Sequence, residues 1–588
     1  MKTFKALMII AGLIVLIPTR AQEESINQEV RVVREYNPTV SDAFKINRMP
    51  QTAEEELATP VFNYSLSAKA MVGKPETVPL VAARMGKEPR EDLSNTYFRG
   101  YVGNYNTIGG ALMYNILHSD KYSLALKAVH ESSLGEVEVT GIDEDAQFHE
   151  SLGGLYFNRF FKRNTFSIDM DFSNLAYRYY GFGSLEPEQD YVNRYADVGS
   201  PESVPGKDIL PEAKQRQTAF DIVLGLNNNA TNGQTNKWDL NMGFSTFGTY
   251  TGVSENQFIY RGDFEFPINE LGLKFETGVL HAGTNNAVSD NEFLYNFVRR
   301  QQTLVTVNPA LVRRKDGLLL NFGLRIGAGF DELEDELYLS PDVWASYTIA
   351  EGIVAIEGGV TGEIKPSTYR SIMEENPYVS PDLNVKNAFH GVKFFFGTKG
   401  NFSNATSFAA RVEYSVFRDE HFYVNRTFTR EPERTMQDFI NQFDVDYDDG
   451  NLLTVSGVFN ARFTPDLEMT LKGSYYGWKL DSLSHAWQRP DMEAGIRLTY
   501  RYDESLTLYG SFNVIGSRNA AIPDLLLPEQ AVVSLDPVYD FNLGANYSLN
   551  KKWHFFGEVR NMLASRYNRW FGYPSHGINA IVGLGYSF

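Results

Sequence analysis

From residue 93 to the last residue the chain changes sides at almost every step. Phe166, Ile168, Met170 and Phe172 alternate with Ser167, Asp169, Asp171 and Ser173. Met492, Ala494, Ile496, Leu498, Tyr500 and Tyr502 alternate with Glu493, Gly495, Arg497, Thr499 and Arg501. Tyr539, Phe541, Leu543, Ala545, Tyr547 and Leu549 alternate with Asp540, Asn542, Gly544, Asn546 and Ser548. Successive side chains of a β-strand point to opposite faces, so each segment has one apolar and one polar face. A soluble sandwich shares that pattern. Three features point instead to a membrane barrel. The polar faces carry Asp, Glu, Lys, Arg and Gly, as a wet lumen does. Tyr, Trp and Phe gather near strand ends, as interface girdles require. The connections alternate between short and long.

Short ones include Lys162-Arg163-Asn164, Lys315-Asp316-Gly317, Pro465-Asp466 and Asn550-Lys551-Lys552, several of them Asp/Asn/Gly hairpin turns. Between them lie long segments near 134–145, 180–214, 283–298, 363–386, 419–450, 480–488, 516–536 and 563–576. Short periplasmic turns and long extracellular loops are the rule for outer-membrane barrels. A spanning strand takes roughly 9–11 residues, and the count comes to about 22 strands. The fold class read from the sequence is therefore all-β: one large, closed, antiparallel transmembrane barrel covering 93–588. An even strand number puts both barrel ends in the periplasm, and Tyr586 and Phe588 end an apolar face suited to recognition by the barrel-assembly machinery.

The first residues differ. Lys2 and Lys5 precede an apolar stretch over 6–18, and Thr19-Arg20-Ala21 supplies small residues for cleavage before Gln22. Residues 1–21 read as an export signal. Residues 22–92 are polar and interrupted by Pro38, Pro50, Pro60, Pro75, Pro79 and Pro89, which disfavours helices and central strands. This segment reads as an extended periplasmic or lumenal region.

Composition removes several function classes. Acids outnumber bases 73 to 54, for a net charge of −19, which is unsuited to general nucleic-acid binding. Cysteine is absent, which excludes disulfide scaffolds, thiol catalysis and Cys-ligated metal sites. The nine histidines are scattered with no metal-ligand spacing, and neither a Gly-x-Ser-x-Gly elbow nor a phosphate loop is present. The reading is a non-enzyme.

The closing stretch resembles the last two strands of TonB-dependent outer-membrane receptors. It runs Val559-Arg560-Asn561-Met562-Leu563, Tyr567, Tyr573-Pro574, Gly577 and Gly583-Leu584-Gly585-Tyr586-Ser587-Phe588. Ile578 stands where that family usually has Arg. The patch Glu29, Val30, Arg31, Val32 and Val33 resembles the family's TonB box, a strand that pairs with TonB. One departure is larger than these agreements. The family carries a plug domain between box and barrel, longer than residues 22–92 and marked by Arg-Gly and Asp-Gly-Val motifs that are missing here. The resemblance is to a receptor-type barrel with the plug absent or reduced. A 22-stranded lumen left empty would leak small solutes. Residues 22–92, inward-folded outer loops or a partner protein are the alternatives for filling it.

Other clusters remain open at this level. Asp444, Asp446 and Asp448 before Gly450 offer alternate oxygen ligands to Ca²⁺, but without EF-hand spacing, and a solvated acidic loop is the commoner case. No other cofactor is indicated. Arg261, Asp263, Glu265, Arg411, Glu413, Arg497, Arg501, Glu558 and Arg560 fall on the polar faces and read as lumen wall. Both signs are present, which suits a polar conduit, a docking surface or cross-strand pairing better than an ion-selective pore. The aromatic runs at 177–180 and 568–573 are either ligand-stacking patches or loop packing. The functional expectation is a receptor or porin-like transport protein in the outer membrane of a Gram-negative bacterium, with the N-terminal segment periplasmic. Its expected partners are outer-membrane lipid, the assembly machinery, and TonB or a lipoprotein or periplasmic protein, with no nucleic acid. The alternative is a scaffold or interaction subunit of an envelope or secretion assembly.

Overall fold

The computed structural model describes residues 95–116, 120–139, 142–181, 214–228, 236–286, 299–332, 335–350, 353–429, 437–522 and 531–588. The export signal, Glu29 to Val33 and the segment 22–92 lie outside these residues. Among the described residues, 22 strands form one antiparallel meander, and three short hairpins stand apart from it. The meander closes on itself: the first strand, Thr96–Gly103, pairs with the last, Asn579–Ser587, placing Phe98 opposite Tyr586 and Val102 opposite Val582. Closure leaves the barrel sheet no free edge, so its strands pair on both sides.

The alternation read from the sequence sorts the two faces. One row runs Leu224, Met242, Tyr260, Val279 and Val305 across five consecutive strands. Leu224, Met242, Phe258, Phe322, Val343, Phe394, Val412, Leu498 and Val582 all point outward and are exposed. So much contiguous apolar surface is unfavourable in water and favourable in lipid. The adjacent row runs Gly225, Asn241, Arg261, Gly278 and Thr306, and faces inward. At the end with short turns, Trp553 meets Tyr586 and Tyr586 meets Phe588 edge-on, each at 4.6 Å. The Asp316-Gly317 turn has φ of +49° and +77°, which the two-residue hairpin between Arg299–Lys315 and Leu318–Asp331 demands.

Two features depart from the sequence reading. Tight turns also occur at the outer end, at 104–106 and 250–252, so the alternation of short and long connections is not strict. The stretch 419–450, read as a loop, is mostly ladder: Thr406–Thr429 and Gln437–Thr464 are strands of 24 and 28 residues. Their register shifts between Phe417 and Glu420, where Asp419 takes φ of +52°. Before this bulge Val412, Tyr414 and Val416 are exposed, and beyond it Phe422, Tyr423, Val424 and Asn425 are all buried. A bulge bends a ladder and re-aims its side chains. Here the extension leaves the lipid boundary and is covered on both faces, so its alternation is lost.

The outer loop 366–387 folds inward. It carries the short helix α1, Tyr369–Glu375, and touches Asp221, Ser245, Glu255, Gln257 and Gln302, all on the inward face of their strands. Of the alternatives for lumen filling, an inward outer loop is thus present in the described chain.

The two-medium account predicts an asymmetry. Leu224→Arg places a charge in hydrocarbon and should cost about 2–4 kcal/mol. Ser167→Arg, on the inward face, should cost no more than about 0.5 kcal/mol. Urea titration of the refolded protein in liposomes measures both, and equal costs would contradict the face assignment.

Candidate functional site

A seven-residue helix is marginal alone, because few backbone bonds repay its nucleation. The barrel wall stabilises α1 at both ends. At its start, the Ser371 amide donates to Thr368 Oγ1 at 3.1 Å and the Thr368 amide donates to Ser371 Oγ at 2.9 Å. The buried Glu255 carboxylate, from the strand Val253–Ile268, accepts the amides of Tyr369 at 2.9 Å and Arg370 at 3.4 Å. It also accepts Gln257 Nε2 at 2.6 Å and Thr284 Oγ1 at 2.7 Å. A carboxylate there satisfies orphan amides and opposes the helix dipole. Arg370 reaches Asp221 by two bonds, Nη1 to Oδ1 at 2.6 Å and Nη2 to Oδ2 at 2.9 Å, with Ser245 Oγ also in contact. Asp221 lies seven residues inward of Lys214, the outer end of its strand. At about 3.3 Å per residue that is roughly 23 Å along the wall.

The far end of α1 meets the opposite side. Glu375 Oε2 lies 3.0 Å from His421 Nε2 and accepts Tyr423 Oη at 3.0 Å, while Arg489 bonds Oε1. Burial opposes ionisation of Glu375, but the His421 bond and the Arg489 charge outweigh it and hold its pKa down at about 2. Beyond α1, Tyr378 stacks on Tyr573 with centroids 3.5 Å apart at 18°. Tyr177 and Tyr180 meet Tyr378 edge-on at 5.9 and 6.2 Å. The loop then adds to the bent ladder, with the amides of Ser380 and Phe443 donating to the carbonyls of Phe443 and Tyr378 at 2.9 and 3.0 Å. Arg426 clamps Asp382 and Ser380, and Arg300 Nη1 donates to Asn384 Oδ1 at 2.7 Å. The result is a crossbar of ionic clamps at its ends and aromatic packing in its middle. It lies across the barrel at the end opposite the short turns.

The structure unites the two aromatic runs of the sequence: 177–180 and 568–573 converge on Tyr378 as loop packing. The acidic triplet is strand, not loop. Asp448 is buried and accepts the amides of Ser482 at 2.9 Å and Leu483 at 2.7 Å, and Asp444 lies 3.3 Å from Arg426. Among the described residues no group of three or more His, Asp or Glu side chains is arranged to hold a metal ion.

Arg261, Asp263 and Glu265 point away from the lipid-facing row of Phe258, Tyr260 and Phe264, with Glu265 paired to Arg314 at 2.6 Å. Arg411 bonds Glu357 at 3.1 Å and Glu413 at 3.2 Å and covers the Phe395 ring at 4.0 Å. Arg497 stands between Thr470 and Ser511, and Arg501 bonds Glu468 at 2.9 Å. Arg560 bonds Glu558 at 2.7 Å and approaches Glu131 at 3.6 Å. Asp221, which also lies on a polar face, joins the crossbar site. Arg370, Glu375, Tyr378, His421 and Arg489 were not singled out from the sequence. The available signal was local: Thr368 and Ser371 at capping spacing, between Pro366 and Pro377.

A depressed carboxyl pKa contributes stability above its ordinary value of 4.5, and loses it as pH falls toward 2. Hydrogen-exchange protection of 369–375 should hold between pH 7 and 5 and decline between about 4.5 and 2. Glu375→Gln should lower protection at neutral pH and flatten that decline. An unchanged profile would contradict the clamp.

No protein-family profile matches the sequence, and no curated protein matches it. Solved structures do match its shape. The copper transporter OprC aligns over 85% of this chain and 81% of its own, with TM-score 0.60 and 12% identity. The FrpB iron transporter from Neisseria meningitidis aligns over 84% and 81%, with TM-score 0.62 and 10% identity. The siderophore receptor PirA from Acinetobacter baumannii aligns over 85% and 81%, with TM-score 0.59 and 11% identity. These are TonB-dependent receptors and transporters, not enzymes, and the barrel fold of this chain is theirs.

Proposed function

We propose that this chain is an outer-membrane receptor and transport protein whose outer mouth is held shut by its own loop 366–387. The observation that carries the reading is the crossbar itself. It is tied to Asp221, Glu255 and Gln302 on one side and to His421, Arg489 and Tyr573 on the other. A 22-stranded wall encloses far more space than its side chains fill, so passage must be controlled by what crosses the lumen. The proteins that share the fold are named for metal or siderophore transport, which supports an uptake role here without naming the solute. Glu29 to Val33 supply the coupling to TonB in this reading, with the N-terminal segment in the periplasm.

A second reading, a scaffold or interaction subunit with a lipoprotein or periplasmic partner, draws support from the firmness of the closure. Tyr423 and Phe443 are fully buried beside Trp570, and Arg489 and Arg426 each engage the loop's acids. A closure that never opens suits a scaffold better than a conduit.

Two experiments test these readings, the first separating them and the second testing the closure they share. Deleting residues 29–33 should abolish growth on the transported nutrient, whereas unchanged growth with loss of a co-purifying protein supports the scaffold. Replacing 367–386 by a short Gly/Ser linker should raise single-channel conductance several-fold and sensitise cells to bulky antibiotics. Unchanged conductance would contradict the closing role of the loop.

A further inference from the structure

Three kinds of contact in the seat of loop 366–387 point to a ligand class. The first is recognition of main-chain atoms by wall side chains. Gln302 Nε2 donates to the Ser367 carbonyl at 2.7 Å, Tyr177 Oη to that of Pro377 at 2.6 Å and Asn286 Nδ2 to that of Pro381 at 3.2 Å. Glu255 accepts two loop amides. These four wall residues stand on four different strands, Arg299–Lys315, Asn164–Arg178, Leu271–Asn286 and Val253–Ile268, fixed by their own ladders rather than by the loop. Main-chain groups are common to all peptides, so such a surface reads polypeptide in general.

The second is a side-chain receptor. Asp221 meets the Arg370 guanidinium at two points, with Ser245 beside it. That two-point geometry selects arginine over lysine. The third is spare capacity. Gln302 is only 8% exposed, and its Oε1, on the amide that holds Ser367, has no hydrogen-bond partner. The wall thus offers a buried acceptor that the loop does not use, although buried polar groups are almost always paired.

We infer that the outer mouth is a binding cleft for a short, arginine-bearing peptide, and that loop 366–387 occupies it as a tethered stand-in. The inference rests on the receptor reading and names its ligand class. A tethered segment competes at an effective concentration of about millimolar, so a free peptide gains access only when the loop is displaced.

The test uses purified full-length protein in detergent and a fluorescein-labelled synthetic peptide, STYRSIMEENP, the sequence of residues 367–377. Replacing 367–386 with a Gly/Ser linker should tighten binding at least tenfold over the parent chain. Asp221→Asn in that background should remove at least tenfold, and maltohexaose should not compete. Equal affinity in parent and linker proteins, indifference to Asp221→Asn, or competition by maltohexaose would each overturn the inference. If the linker protein fails to give a heat-modifiable barrel, Arg370→Ala serves instead. It should raise peptide affinity at least threefold, and unchanged affinity overturns the inference. The readout is binding alone: uptake without peptide binding sinks this inference, and peptide binding without uptake sinks only the transport reading.

Discussion

Hydrocarbon offers nothing to a free backbone N–H or C=O, and this constraint shapes the whole molecule. Each unpaired group would cost several kcal/mol in lipid, so strands can cross only if every ladder is paired. The seam between Thr96–Gly103 and Asn579–Ser587 is therefore as necessary as any other pairing, although its partners stand at opposite ends of the described chain. Closing 22 strands has a geometric consequence: the lumen is wider than two layers of side chains can fill. The lumen must then be managed by something other than the wall.

Loop 366–387 enters that space with chemistry distinct from the wall's. The barrel is held by repetitive backbone pairing, the crossbar by a few polar anchors. Arg370 with Asp221, Glu375 with His421 and Arg489, and Arg426 with Asp382 hold it at separate points of the circumference. Ion pairs of this kind contribute modestly to net stability, since desolvation offsets much of their attraction. They define position well, because a displaced partner leaves a charge in a partly buried site. The aromatic centre around Tyr378 and Tyr573 adds apolar burial without fixing direction. Such a closure is specific in register and can be removed without breaking a single wall ladder. That combination suits a gate or an occupied binding cleft.

How much of this could be read from the sequence follows from what each side chain touches. Phe166 to Ser173 were legible because alternate residues meet lipid and a polar interior, so the period of two survives in the composition. Asp316-Gly317 was legible because its turn demands positive φ. The extension beyond Asp419 was not, since Phe422 to Asn425 are covered on both faces and no alternation remains. The crossbar was legible only as a long loop. Arg370 is bound by Asp221, 149 residues earlier, and α1 is capped by Glu255, 114 residues before Tyr369. No local pattern encodes partners at that separation. The two aromatic runs were visible as runs, but their meeting on Tyr378 depends on barrel closure.

The central claim is that loop 366–387 lies across the mouth, with its helix α1 held between Asp221 on one part of the wall and His421 on another. The chain has no cysteine, so introduced pairs report without background. Arg370→Cys with Asp221→Cys, and Glu375→Cys with His421→Cys, join residues whose side chains meet at 2.6 and 3.0 Å, with Asp221 and His421 on well-separated strands. Treating intact cells with a short bifunctional maleimide should crosslink both pairs in high yield. Absence of crosslinking in both, with each single cysteine freely labelled by a membrane-impermeant reagent, would contradict the account.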